Sequence, residues 1–174
     1  VPKSVINTTI CATIGENTID NIFKNVDELK GERKVDIIIG GPPCQAYSVA
    51  GRARMGKDVE KDPRNELYKY YVRFIERYDP EMFVFENVLG LLTAKRGEPF
   101  EDLKRLVDKL GYEMDCKVQV ASQHGVLQNR QRVIIVGWKR DVKGSGKQYH
   151  YPDLPVEENH YHVLRDLFSD LPAR

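Results

Sequence analysis

The chain has 174 residues, of which 41% are hydrophobic and 30% charged, and its formal net charge is +1. That length suffices for one domain with a core of its own, and no apolar run approaches the ~18–20 residues of a membrane span. A near-neutral balance leaves no global footprint for nucleic acid, so a basic surface has to be local. Residues 1–10 mix Pro, Lys, Ser and Asn and do not read as a secretory signal. Cys11, Cys44 and Cys116 form no CxxC and no metal-ligand spacing. An odd, scattered set fits a reducing compartment, cytoplasmic or nuclear, and no metal or membrane partner is expected.

Residues 4–14 are rich in Thr and Ile, as in a strand or an irregular edge, and Ile19, Ile22, Phe23 and Val26 recur at helical spacing within 15–29. Val35, Ile37, Ile38 and Ile39 form a short β-branched run closed by glycine, the pattern of a central parallel strand buried on both faces. Gly40 and Gly41 permit close backbone approach, and Pro42 and Pro43 stiffen the exit. Cys44 follows at the carboxyl end of that strand, where open α/β sheets place their ligands. A thiolate held on a rigid loop beside cations has its pKa lowered from ~8.5 toward neutrality, which makes Cys44 a nucleophile candidate. Most cysteines are inert core residues, but Gly-Gly-Pro-Pro before Cys44, with Gln45 and Ser48 after it, is no core composition.

Residues 46–63 then form a long basic loop containing Gly51, Arg52, Arg54, Gly56, Lys57 and Lys61, and loops beyond ~12–15 residues in compact domains are usually functional lids or disordered. Leu67, Tyr70, Tyr71, Phe74, Ile75 and Tyr78 predict an amphipathic helix over 65–78 whose aromatic stripe is core, not a base-stacking surface. Pro80 precedes a second buried strand at 82–85, with Glu86 and Asn87 at its end. Glu86 thereby repeats the geometry of Cys44, and the two reactive groups converge on one crevice; its alternative role is a cap for the apolar turn at 89–92. A further amphipathic helix is expected over 98–110, with Phe100, Leu103, Leu106, Val107 and Leu110 inward and Gly111 as its stop. Met114, Cys116, Val118 and Val120 alternate along a half-buried strand at 112–120, so Cys116 reads as core. Residues 125–132 turn into a buried strand at 133–138. His124, beside that turn, has no carboxylate or nucleophile motif at a telling distance and is read as a polar loop residue.

Between Gln123 and Gln148, Arg130, Arg132, Lys139, Arg140, Lys143 and Lys147 stand against Asp141 alone. Arg130 and Arg132 are two apart on an extended segment and project to one side, suiting a carbonyl oxygen, a phosphate, or a salt bridge to Glu86 or Asp62. Residues 149–174 are acidic and contain Pro152, Pro155 and Pro172.

Gly41-Pro42-Pro43-Cys44-Gln45-x-Tyr47-Ser48, followed by Gly51 and Arg52, resembles the catalytic motif of the C5-cytosine DNA methyltransferases. Asp62-Pro63-Arg64-x-x-Leu67, Glu86-Asn87-Val88 and Gln128-x-Arg130-x-Arg132 agree with that family in order and spacing, and ordered matches of this kind are hard to reach by chance. The resemblance runs from about residue 35 to 172 and implies a doubly wound α/β fold. Its sheet would be mostly parallel, of the S-adenosylmethionine-dependent, Rossmann-like type, and incomplete at the N-terminus. It divides residues 1–174, as a partial catalytic domain, into a poorly assigned part (1–34), a catalytic core (35–140) and a linker (141–174).

The resemblance also implies roles. Cys44 would add to carbon 6 of a flipped-out cytosine and Glu86, partly desolvated, would stabilise charge at N3, with Arg130 and Arg132 completing the catalytic set. Gln45, Ser48, Arg52, Arg64, Asn87 and Gln128 would contact double-stranded DNA. Gly41, Pro43 and Leu67 would touch the donor S-adenosylmethionine, with Asn21 and Ile22 as weaker candidates. The chain departs from the family in lacking the glycine-rich Phe-x-Gly-x-Gly donor turn and the target-recognition region, so a complementary chain or segment is expected to supply both. His124 and Leu127 stand where the family commonly has tyrosine and proline, and 163–172 resembles its short helix before target recognition. A transfer-RNA cytosine methyltransferase and a non-catalytic scaffold remain alternatives; a cysteine hydrolase is disfavoured because no histidine sits in a partner motif.

Overall fold

A computed structural model of the chain describes residues 9–43, 66–140, 151 and 155. Four strands form an open sheet in the order β1 (Ile37–Gly40), β2 (Met82–Asn87), β4 (Gln131–Lys139), β3 (Tyr112–Val120). The helices are α1 (Ile19–Lys30), α2 (Leu67–Tyr78), the single turn α3 (Gly90–Thr93) and α4 (Glu98–Lys109). Among these strands β1, β2 and β3 run in one direction, in keeping with the expected mostly parallel sheet, and β4 is inserted antiparallel between β2 and β3. The link from β3 to β4 is a 3₁₀ turn (Ala121–His124) and a few further residues, too short for the crossover a parallel pair requires.

The helices form where local pattern and end chemistry agree. Tyr68, Tyr71, Val72 and Ile75 recur at three- and four-residue steps and are all buried along α2. Its end is set by Asp79 in the left-handed conformation (φ 45°), with the Asp79 N–H donating to the Ile75 carbonyl and Pro80 following. Along α4, Pro99 sits in the first turn and Leu103 and Val107 face the core, and Gly111 (φ 86°) closes it as expected. Residues 9–14 carry no strand.

Register assigns the two faces. Ile38, Phe83, Phe85, Val133, Ile135, Met114 and Cys116 share the face against which α2 and α4 pack. Tyr71 meets Phe83 and Phe85 edge-on, with ring centroids 6.2 and 5.1 Å away. Its hydroxyl lies 3.0 Å from the Ile38 carbonyl oxygen and 2.8 Å from that of Val84, a shared donation that ties the helix to both parallel strands. Two strand glycines have a reason that local pattern does not reveal. A Cβ on Gly40 would come within 2.7 Å of the Tyr71 ring, and one on Gly137 within 2.1 Å of the Phe83 ring. α1 rests on α2 instead of the sheet, through Phe23 against Phe74 (4.9 Å) and an Arg77–Asp27 ion pair.

The opposite face carries Ile37, Ile39, Met82, Val84 and Ile134. Here β1 departs from the expected strand buried on both sides: Ile37 is 52% and Ile39 76% exposed. The α2 crossover from β1 to the parallel β2 lies on the Phe83 face, as α4 does, so neither helix covers these isoleucines. Between α3 and α4 the chain makes a 3₁₀ turn (Ala94–Gly97) in which Lys95 (φ 48°) and Arg96 (φ 59°) adopt left-handed backbone, at a cost of roughly 1–2 kcal/mol for each non-glycine residue.

Candidate active site

Strand direction gathers the motifs. Because β1 and β2 are parallel, with Gly40 opposite Phe85, Gly41 emerges beside Glu86. Because β4 is antiparallel to β2, with Asn87 opposite Val133, its first residues arrive at the same edge. Segments 41–43, 86–87 and 130–132, far apart in sequence, therefore meet at the carboxyl end of β2.

At that edge the Arg132 Nε donates to Glu86 Oε1 at 2.7 Å, and the Arg132 Nη1 donates to the Gln131 carbonyl at 2.7 Å. The guanidinium is thereby oriented by its own strand before it meets the carboxylate. The anticipated salt bridge of an arginine to Glu86 is formed by Arg132. The Glu86 side chain is 43% exposed, more open than the partial desolvation anticipated for it. Gly41 leaves the carboxylate its room, since a Cβ there would lie 2.8 Å from Glu86 Oε2.

Asn87, expected among the DNA contacts, is only 4% exposed. Its Nδ2 donates to the Pro42 carbonyl at 3.1 Å, and its Oδ1 accepts from the Val88 N–H at 2.9 Å. A buried amide engaged at both ends serves the fold, and this one clamps β2 to a point two residues before Cys44. Cys44, Gln45, Ser48, Arg52 and Arg64, with the basic stretch 46–63 and Asp62, lie outside the described residues.

Arg130 and Gln128 are exposed in the turn that leads into β4, where the Arg130 N–H donates to the Gln128 carbonyl at 2.9 Å. Gly41 and Pro43 are exposed at the edge, and Leu67 opens α2 half-buried. Of the weaker donor candidates, Asn21 is exposed on α1, whereas Ile22 is buried. Gly41, Pro43 and Leu67 supply at most one wall for S-adenosylmethionine. A backbone cradle for it is not formed among the described residues.

His124 is no isolated loop residue. Its Nε2 lies 2.9 Å from Gln119 Oε1 and its Nδ1 3.2 Å from the Pro155 carbonyl oxygen. Gln119 Nε2 donates to the hydroxyl of buried Tyr151 at 3.2 Å, and Lys117 Nζ stands 4.7 Å above that ring. This cluster joins positions more than thirty residues apart and leaves no local sequence signal. Cys116 is half-buried, and burial followed by the neighbouring Asp115 pushes its thiol up, as suits an unreactive core residue. Among the described residues no helix is long and apolar enough to cross a membrane.

A carboxylate paired with an arginine thus stands at the carboxyl end of β2, beside the clamped segment that leads toward Cys44, where open α/β sheets place their ligands. The family model of the C-5 cytosine-specific DNA methylases matches residues 3–173, and the chain belongs to that family. It is 42% identical over 163 residues to the type II methyltransferase M.Bpa9945I of Bacillus paralicheniformis, covering 87% of this chain and 36% of that protein. With the type II methyltransferase M1.HphI of Haemophilus parahaemolyticus it shares 35% identity, covering 88% of this chain and 38% of the relative. The solved structure of the Entamoeba histolytica methyltransferase EhMeth superposes with a TM-score of 0.55 at 21% identity, covering 90% of this chain and 52% of that one, a likeness of fold. The chain thus spans little more than a third of the length of these two curated relatives.

Proposed function

We propose that this chain is the catalytic segment of an S-adenosylmethionine-dependent methyltransferase acting on carbon 5 of cytosine in double-stranded DNA. The observation that carries the reading is the Asn87 clamp. It fixes the start of the Cys44 loop to the strand on which Glu86 stands, 2.7 Å from Arg132. Carbon 5 of cytosine is a poor nucleophile, and addition of the Cys44 thiolate to carbon 6 turns it into the nucleophilic end of an enamine. Negative charge then develops at N3, where a proton is delivered through the Glu86 carboxyl group while Arg132 orients it. Arg130, exposed and two residues away, is available to the base carbonyl or a flanking phosphate. When bound, the donor supplies the methyl group. A base later removes the carbon 5 proton and Cys44 departs.

A duplex cytosine reaches Cys44 only if it is flipped out, at a few kcal/mol of unstacking. Gln45, Ser48, Arg52, Arg64 and Gln128 contact the DNA in this reading, and Asn87 positions the loop. Residues 35–140 form the catalytic core and 141–174 lead toward target recognition. The donor-binding turn comes from a complementary chain or segment added beside β1, a placement supported by the exposed Ile37 and Ile39. The enzyme works where DNA is, inside the cell.

Incubation with labelled donor and 5-fluorocytosine duplex, with and without a separately expressed donor-binding segment, tests this. The expected result is a covalent adduct that needs the segment and is abolished by Cys44→Ser. No adduct with both pieces folded supports a non-catalytic scaffold instead.

A further inference from the structure

The left-handed turn between α3 and α4 displays two cations that nothing in the catalytic reading uses. Lys95 and Arg96 are both exposed, and they are held between buried Ala94 and buried Gly97. Glycine adopts such backbone without steric penalty and stands at position 97, where a Cβ would lie 3.2 Å from the Leu92 carbonyl oxygen. Two long basic side chains are carried at the neighbouring left-handed positions despite the strain. Strained backbone of this kind concentrates at ligand-gripping sites.

Their charges are also unspent within the fold. Arg73, Arg77, Arg105, Lys139 and Arg140 each pair with a carboxylate, whereas Lys95 and Arg96 pair with no acidic side chain among the described residues. Glu98 and Glu101, which follow, lie in the first turn of α4, where they complement the positive helix end. Position completes the argument. The turn comes directly after β2 and α3, at the edge where Glu86 ends its strand. From there α4 runs back to β3, which begins opposite Lys139 at the far edge. Lys95 and Arg96 therefore share a rim with Glu86, Arg130 and the start of the Cys44 loop.

We propose that Lys95 and Arg96 grip the phosphodiester backbone of double-stranded DNA flanking the extruded base. This deepens the reading given under Proposed function and rests on it. The ammonium contributes a point charge and the guanidinium a fork for phosphate oxygens, on a base fixed by Ala94 and Gly97. Such contacts carry no sequence preference and set register on the duplex.

The test is duplex binding by fluorescence anisotropy over a salt series, using the full chain with its complementary donor-binding segment. Each lost phosphate contact lowers the slope of log affinity against log salt by about 0.9, so K95Q/R96Q is expected to lower it by about 1.8. By the same counterion accounting its affinity at 0.15 M salt falls roughly 30-fold, equally for unrelated sequences. K95G/R96G relieves the backbone, so it is expected to fold at least as stably while losing the same slope. Lys109→Gln, at the other end of α4, is expected to leave the slope unchanged. A slope in either double variant equal to that of the unsubstituted protein overturns the proposal, as does an unsubstituted protein that binds no duplex. Cys44 adduct formation is read in parallel. An adduct with an unchanged slope removes the grip alone, and a lowered slope without an adduct removes the catalytic reading alone.

Discussion

The two faces of the sheet are built to different standards. On one, Tyr71, Phe83, Phe85, Leu103, Val107, Val133 and Ile135 close into a core under α2 and α4. On the other, Ile37 and Ile39 of the same strand that feeds the Cys44 loop stand open. The difference separates cohesion from exposure: the covered face holds the strands in register, and the edge between the faces receives Glu86, Arg132 and the pinned Pro42. An open apolar sheet face of this kind ordinarily marks an association surface.

The sharpest way to break this contrast is to truncate one side chain on each face. Phe85→Ala is expected to lower unfolding stability by about 3–5 kcal/mol, and Ile39→Ser to change it by no more than about 0.5 kcal/mol, both read from urea unfolding of the chain alone. An equal loss at the two positions would mean that the open face is covered. Next in size is Glu86→Gln, expected to slow adduct formation on 5-fluorocytosine duplex roughly 10²-fold or more while leaving the urea midpoint nearly unchanged. A midpoint that falls with the rate would move Glu86 from chemistry to cohesion.

Asn87→Ala joins the two regions. It orphans the half-buried Pro42 carbonyl, and a loss of about 1–3 kcal/mol is expected, together with slower adduct formation because the Cys44 loop is released. Stability lost without any change in rate would show that the clamp serves the core alone. The smallest effect is at alkaline pH. Burial pushes the Tyr71 hydroxyl above its ordinary value of 10.0 and does the same to Tyr112. The native state therefore keeps these protons where the unfolded chain releases them, so their contribution is complete below about pH 10 and declines as pH rises further. Tyr71→Phe is expected to cost about 1 kcal/mol at neutral pH and to make the alkaline decline shallower. An identical decline in the variant would assign it wholly to other groups.

Much of this was legible residue by residue. The stripe of Tyr71 and Ile75 announced α2, the alternation through Met114 and Cys116 announced β3, and Gly111 marked the end of α4, because each signal is read within a few residues. The convergence of Glu86 with Arg132 was accessible as one of two salt-bridge partners, since both lie at strand ends. The Asn87 clamp was not legible because it depends on the Pro42 carbonyl, in the segment that follows a different strand. Nothing local explains Gly137 in its strand, because the Phe83 ring that occupies the place of its side chain comes from β2. Tyr151, His124 and Gln119 gave no hint of one another.

The amino-acid sequence by itself determined the helices and strands, the ordered motifs and the chemistry available to Cys44 and Glu86, because periodicity and side-chain chemistry are local properties. The tertiary structure alone decided which face of β1 is left open, that β4 runs antiparallel beside β2, and that Asn87 clamps and Arg132 braces. Those outcomes follow from strand register and crossover direction, which are set by packing between segments tens of residues apart.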